Sequence, residues 1–152
     1  MISTFMKYWL EYVKAGYDLI MEAERNTSVI LDDPVELHLV HMFARSIERT
    51  DIGETPVGVL LKKAVYFRDR TKVLEIADEC LLVHSYPLRR KTWPSETYYI
   101  ELGLMGYGYI DHPHMSQHNN FTLSSKVLNF MFTRSIEDPP NTDIILSVDT
   151  QH

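Results

Sequence analysis

The stretch from Lys72 to Tyr109, KVLEIADECLLVHSYPLRRKTWPSETYYIELGLMGYGY, restricts the fold more than any other part of the chain. It reads as a helix that turns apolar on every side at Cys80-Leu81-Leu82-Val83, a proline-bounded basic elbow, and a second helix rich in tyrosine and glycine. A helix apolar all round has to be enclosed by neighbours. Pro87 stops the first helix by removing an N–H and by restricting Tyr86. Ser95 suits the N-cap of the second, with Glu96 near the positive end of its dipole. Gly103 and Gly106 together cost that helix about 2 kcal/mol of propensity. Their presence therefore predicts a close crossing, with the preceding helix as the partner. Helices over about 70–86 and 95–110 are expected as the central antiparallel pair.

The rest of the chain supplies further helices to pack around that pair. Ile2, Phe5, Met6, Trp9, Val13, Gly16, Tyr17 and Ile20 recur at three- and four-residue steps, which predicts an amphipathic helix over about 2–25. It carries Lys7, Glu11, Lys14 and Asp18 on its other side, so it reads as part of the fold rather than a leader or a membrane span. Asp33-Pro34-Val35-Glu36 combines an N-cap, a proline at N1 and a capping-box glutamate. The helix it opens runs to about Arg49 and buries Leu39, Val40, Phe43 and Ile47. Thr55-Pro56 opens a shorter one through about Phe67, with Val57, Leu60, Leu61, Ala64 and Val65 inward. Arg68-Asp69-Arg70 is a break or a bend. After a polar loop at 116–120, a last helix over about 122–136 aligns Leu123, Val127, Phe130 and Met131, and Pro139-Pro140 closes it. The expectation is an all-α, single compact domain of five to six helices over 1–138, followed by a C-terminal tail, 139–152. That tail has strand-like composition at Ile144, Ile145, Leu146 and Val148.

Charge narrows the partners. Acidic residues number 21 against 15 Lys and Arg, a net charge of -6. That excess opposes binding to a phosphate backbone and to anionic membrane surfaces, so neither nucleic acid nor membrane is expected. A single cysteine, Cys80, forms no internal disulfide and no Cys-based zinc site, which fits a reducing cytoplasm.

The run LEIADECLLVHSYPLRRKTWPSETYYIELGLMGYGYI (Leu74–Ile110) resembles a family of small uncharacterised bacterial helical proteins. The residues that carry the likeness are Asp78, Cys80, Leu81 and Leu82, then Pro87, Arg89 and Arg90, then Tyr98, Tyr99, Gly103, Gly106 and Tyr107. VELHLVHMFARSIER (Val35–Arg49) is similar to that family's earlier helix. The resemblance implies an all-α bacterial domain and carries no activity, and the His-rich segment after Ile110 and the C-terminal tail depart from it.

Four groups of residues invite chemistry. His112, His114 and His118 lie in or beside one loop next to Asp111, where His-x-His spacing places two imidazoles within reach of one ion, so they are candidate metal ligands. His38 and His41 share a polar helix face. Arg89 and Arg90, with Lys91 and Trp93 beside them, form a dense basic cluster able to bind phosphate or an acidic segment of a partner, although the same charges complement the end of the preceding helix. Cys80 stands one turn before His84, but a thiol in apolar surroundings has a raised pKa and is inert. The chain has no P-loop, Rossmann glycine fingerprint, GxSxG, HExxH or EF-hand loop. No acid, base and nucleophile converge and no cofactor is implied. The favoured role is a non-enzymatic interaction protein, acting as a homo-oligomer or with a protein partner. The alternative is a metal- or small-ligand-binding protein centred on His112, His114 and His118.

Overall fold

The computed structural model describes residues 4–137, with side chains from Leu10 onward. It is all-α, and the expected strand-like tail lies outside the described residues. Among the described residues six helices follow one another: α1 (Thr4–Thr27), α2 (Asp33–Ser46), α3 (Val57–Tyr66), α4 (Arg70–Ser85), α5 (Glu96–Tyr109) and α6 (His118–Glu137). No strand occurs among the described residues, and no helix there is long and apolar enough to cross a membrane. Among the described residues contacts gather in two units, one from residues 4–48 and 127–137 and the other from residues 49–126.

In the second unit α4 and α5 make the most extensive helix pairing, as the glycine spacing predicts. They run antiparallel, because Gly103 meets Cys80 while Gly106, one turn on, meets Ala77, one turn back. A Cβ on Gly103 would sit 2.5 Å from Phe121 Cε2 and 3.3 Å from the Cys80 Cβ. One on Gly106 would sit 2.9 Å from the Ala77 Cβ. Cys80, Leu81, Leu82 and Val83 are all buried, as a helix apolar on every side requires. The buried side of α5 holds Tyr99, Gly103, Gly106 and Tyr107. The late tyrosine that goes inward is thus Tyr107, not Tyr109, and its hydroxyl donates to Asp78 Oδ1 at 2.6 Å.

Local caps explain the breaks. The Ser95 hydroxyl accepts from the Tyr98 amide at 3.3 Å, as expected. Arg68-Asp69-Arg70 is a full break: Asp69 caps α4 by accepting from the Lys72 amide at 3.1 Å. Arg68 stands before it at φ 55°, in the left-handed region. Its amide donates to Val65 O and that of Asp69 to Ala64 O, the paired bonds of a Schellman helix end, where glycine is the usual residue. In α2 the helix starts one residue earlier than the capping box predicts. Asp32 is the N-cap, its carbonyl accepting from the Val35 and Glu36 amides.

α6 also begins early, at His118, so the polar run 118–120 is helix rather than loop. Phe121, fully buried against Gly103, is the reason: the first turn must form for its ring to arrive there. α6 buries Phe121, Ser124, Val127, Leu128 and Met131, so that Val127 and Met131 of the expected line go inward while Leu123 and Phe130 stay half-buried. In the first unit Gly16 packs on Val40, and Phe43 and Phe132 stack at 5.2 Å. Ile20 and Ala23 are buried as α1 requires, whereas Tyr17 is exposed rather than core.

Candidate interaction surface

The feature that stands out on the second unit is the corner where α3 turns into α4. Val57, Leu61 and Ala64 fill the inward side of α3. The helical period then sends Val59, Lys62, Lys63 and Tyr66 outward, at steps of i, i+3, i+4 and i+7. Tyr66 is 80% exposed, Phe67 69% and Val59 66%. The rings of Tyr66 and Phe67 pack only edge to face on one another, at 5.1 Å. Residues 66–72 are exposed without interruption. Around the aromatic pair stand Lys62, Lys63, Arg68, Arg70 and Lys72 against a single acid, Asp69, within residues 62–72. Arg70 donates to the Ile110 carbonyl at 2.7 Å and Lys72 lies 3.4 Å from Glu75. Lys62, Lys63 and Arg68 have no ion-pair partner among the described residues. Scattered single apolar residues on a surface need no explanation, but an exposed aromatic pair is of the residue type enriched in interfaces, and the cations beside it suit a polar rim.

The elbow between α4 and α5 was the sequence's own candidate. Its residues are largely spent internally. The Arg89 guanidinium lies 5.9 Å from the Trp93 ring centre and 5.8 Å from that of Tyr99, and donates to the Pro94 carbonyl. The indole of Trp93 covers Gly53, where φ is 88° and a Cβ would sit 2.2 Å from the ring. Arg90 pairs loosely with Glu54 at 3.7 Å. Cation–π contacts of this kind fix a loop against its own domain.

The buried polar groups of the second unit look chemical but are closed. His84 Nδ1 lies 2.5 Å from Ser125 Oγ, and Ser85 Oγ bridges Ser125 at 3.1 Å and the Leu81 carbonyl at 2.6 Å. Burial, and then the Arg89 charge, push His84 below its ordinary pKa against the pull of Glu96. A neutral histidine on a serine hydroxyl is the geometry of an activated nucleophile. Here, however, Ser125 is 5% exposed and an acyl group has no approach to it. Cys80, one turn before His84, is read from the sequence as inert. Burial, then the charge of Glu79, push the Cys80 thiol up to about 12, and it remains protonated.

Of the three loop histidines, His112 is drawn into backbone work. His112 Nδ1 accepts from the amides of Met115 at 3.0 Å and His114 at 3.3 Å. Its ring packs edge-on to Tyr107 at 5.4 Å and lies 6.4 Å from that of His114. The lone pair a metal would need on Nδ1 is thereby occupied. His118 is the first residue of α6. Among the described residues no group of three or more His, Cys, Asp or Glu side chains is placed to hold a metal ion.

In the first unit, Tyr17, Asp33, Pro34, Glu36 and Leu37 line an open depression of about 480 Å³. Glu24 Oε2 accepts from the Leu31 amide at 3.1 Å. Its other oxygen is buried and meets no donor while both glutamates are ionised. A proton shared with Glu36 supplies one. The hydrogen bond to Glu24, then burial, then the charges of Glu24 and Asp33 raise Glu36 from 4.5 to about 7. The folded chain therefore holds more protons than the unfolded one between those values, and stability falls as pH rises through that window. Glu36→Gln keeps a donor at every pH. Thermal unfolding is expected to show the two proteins equal near pH 4.5 and the variant more stable at pH 8, by about 1 kcal/mol after solvent screening.

Comparison of the chain with protein-family models, curated proteins and solved structures finds no match, so the function rests on the geometry alone.

Proposed function

We propose that this chain is a non-enzymatic interaction protein that docks on a partner through the α3–α4 corner. The observation that carries this reading is the exposed Tyr66–Phe67 pair ringed by Lys62, Lys63 and Arg68. Supporting it, the buried Ser–His and Cys groups are sealed, and Arg89 and Arg90 of the elbow are engaged within their own unit. A non-glycine residue in the left-handed region costs about 1 kcal/mol, a cost Arg68 shares with Ser28 and Asp111 at other helix ends. At Arg68 the residue so placed is a cation next to the aromatic pair in sequence.

Arg68→Gly is expected to raise stability by about 1 kcal/mol and to weaken docking. The readout is photo-crosslinking in the source cell, with benzoylphenylalanine replacing Tyr66. One discrete adduct is expected, faint when Arg68→Gly is combined and lost with Lys62→Glu/Lys63→Glu. The same adduct from a photoprobe at Lys91, or none from position 66, contradicts the proposal.

A further inference from the structure

We infer that the occupant of the α3–α4 corner is an acidic amphipathic helix of a partner protein, bearing two apolar side chains one heptad apart with carboxylates between them. The inference rests on the docking reading above and specifies its partner.

The outward side of α3 fixes the pattern. Val59 and Tyr66 are seven residues apart and therefore about 10 Å apart along the axis. Lys62 and Lys63 stand between them, and Phe67 and Arg68 extend the row past the helix end. An unpartnered helix face most simply receives a second helix, whose ridges settle beside its own. A partner matching this face needs apolar residues at i and i+7, to cover Val59 and the Tyr66–Phe67 pair. It needs acids at i+3 and i+4, to meet Lys62 and Lys63. Charge selects among the other occupants. A second corner, carrying the same cations, would be repelled. An anionic membrane or a nucleic acid would meet the five basic residues of this segment but also the rest of a chain in which acids outnumber bases by 21 to 15. A protein helix is local enough to engage the corner alone. A face of one short helix makes a small interface, so the complex is of the transient kind.

The test uses the full chain and fluorescence anisotropy. The probe is a labelled 14-residue helical peptide with leucine at its fourth and eleventh positions and glutamate at its seventh and eighth. Controls are the same peptide with lysine for glutamate, vesicles containing phosphatidylserine, and a 15-nucleotide oligo-dT. The acidic peptide is expected to bind at least 10-fold more tightly than the lysine peptide. Lys62→Glu/Lys63→Glu should reverse that preference, Tyr66→Ala/Phe67→Ala should weaken both, and Lys91→Glu at the elbow should change neither. All substituted side chains are exposed, so circular dichroism and the melting temperature should stay at the parent values. Corner-dependent binding to vesicles or oligo-dT in place of the peptide overturns the helical occupant and leaves the docking surface standing. Indifference to peptide charge, with binding unmoved by the corner substitutions, overturns both.

Discussion

Gly106→Leu is expected to lower stability by about 3 kcal/mol, and Gly103→Leu by at least as much. In a chain of this length that corresponds to a fall of roughly 6–12 °C in melting temperature. Helix propensity alone predicts the opposite, since leucine is a better helix former than glycine by nearly 1 kcal/mol. The sign is decided by space. At Gly106 even the first added carbon lands 2.9 Å from the Ala77 Cβ, with the Ala77 Cα at 3.6 Å, so what must yield is helix backbone. At Gly103 the obstacle is the fully buried Phe121 ring. A compensating pair isolates the cause. Gly106→Ala should be destabilising in the parent and better tolerated in Ala77→Gly, with a coupling of about 1 kcal/mol in denaturant unfolding. Additive behaviour would show that α4 and α5 do not cross there.

Arg49→Ala is expected to cost about 2–4 kcal/mol, the second large effect. Arg49 Nη1 and Nη2 hold Glu79 Oε1 and Oε2 at 2.7 and 3.0 Å, and its Nε holds Asp51 at 2.8 Å. The Glu79 side chain is only 11% exposed, against 59% for Asp51. Removing the guanidinium strands one carboxylate out of water and leaves the other solvated, so the loss comes from Glu79. If that is right, the double replacement Arg49→Met/Glu79→Leu, which removes both charges, should be more stable than Arg49→Ala in the same denaturant titration. A double replacement as unstable as the single one would place the effect elsewhere.

The parts of the fold legible in the sequence were those with local physical causes. Cys80–Val83 could only be enclosed, Gly103 and Gly106 could only mark a close crossing, and Ser95 caps what it was expected to cap. What escaped were features assembled across distance. Phe121 pulls the start of α6 forward because of glycines on another helix. His84 meets Ser125, 41 positions on, and Glu24 meets Glu36 across a helix boundary. The α3–α4 corner was half-legible. The inward period at Val57, Leu61 and Ala64 already directs Lys62, Lys63 and Tyr66 to solvent. But its cations are spread over eleven residues, whereas Arg89-Arg90-Lys91 is contiguous. Density in sequence is not the same as availability, since Arg89 is occupied with Trp93 and the Pro94 carbonyl, while Lys62, Lys63 and Arg68 have no ion-pair partner among the described residues.

The measurement that tests the docking surface most directly is amide hydrogen exchange on the intact protein, alone and with the acidic helical peptide in excess. Slowed exchange is predicted in residues 57–72, centred on Tyr66 and Phe67, with 86–95 unchanged. Protection that falls instead on the elbow at 86–95, or on no segment while the peptide remains bound, would contradict it.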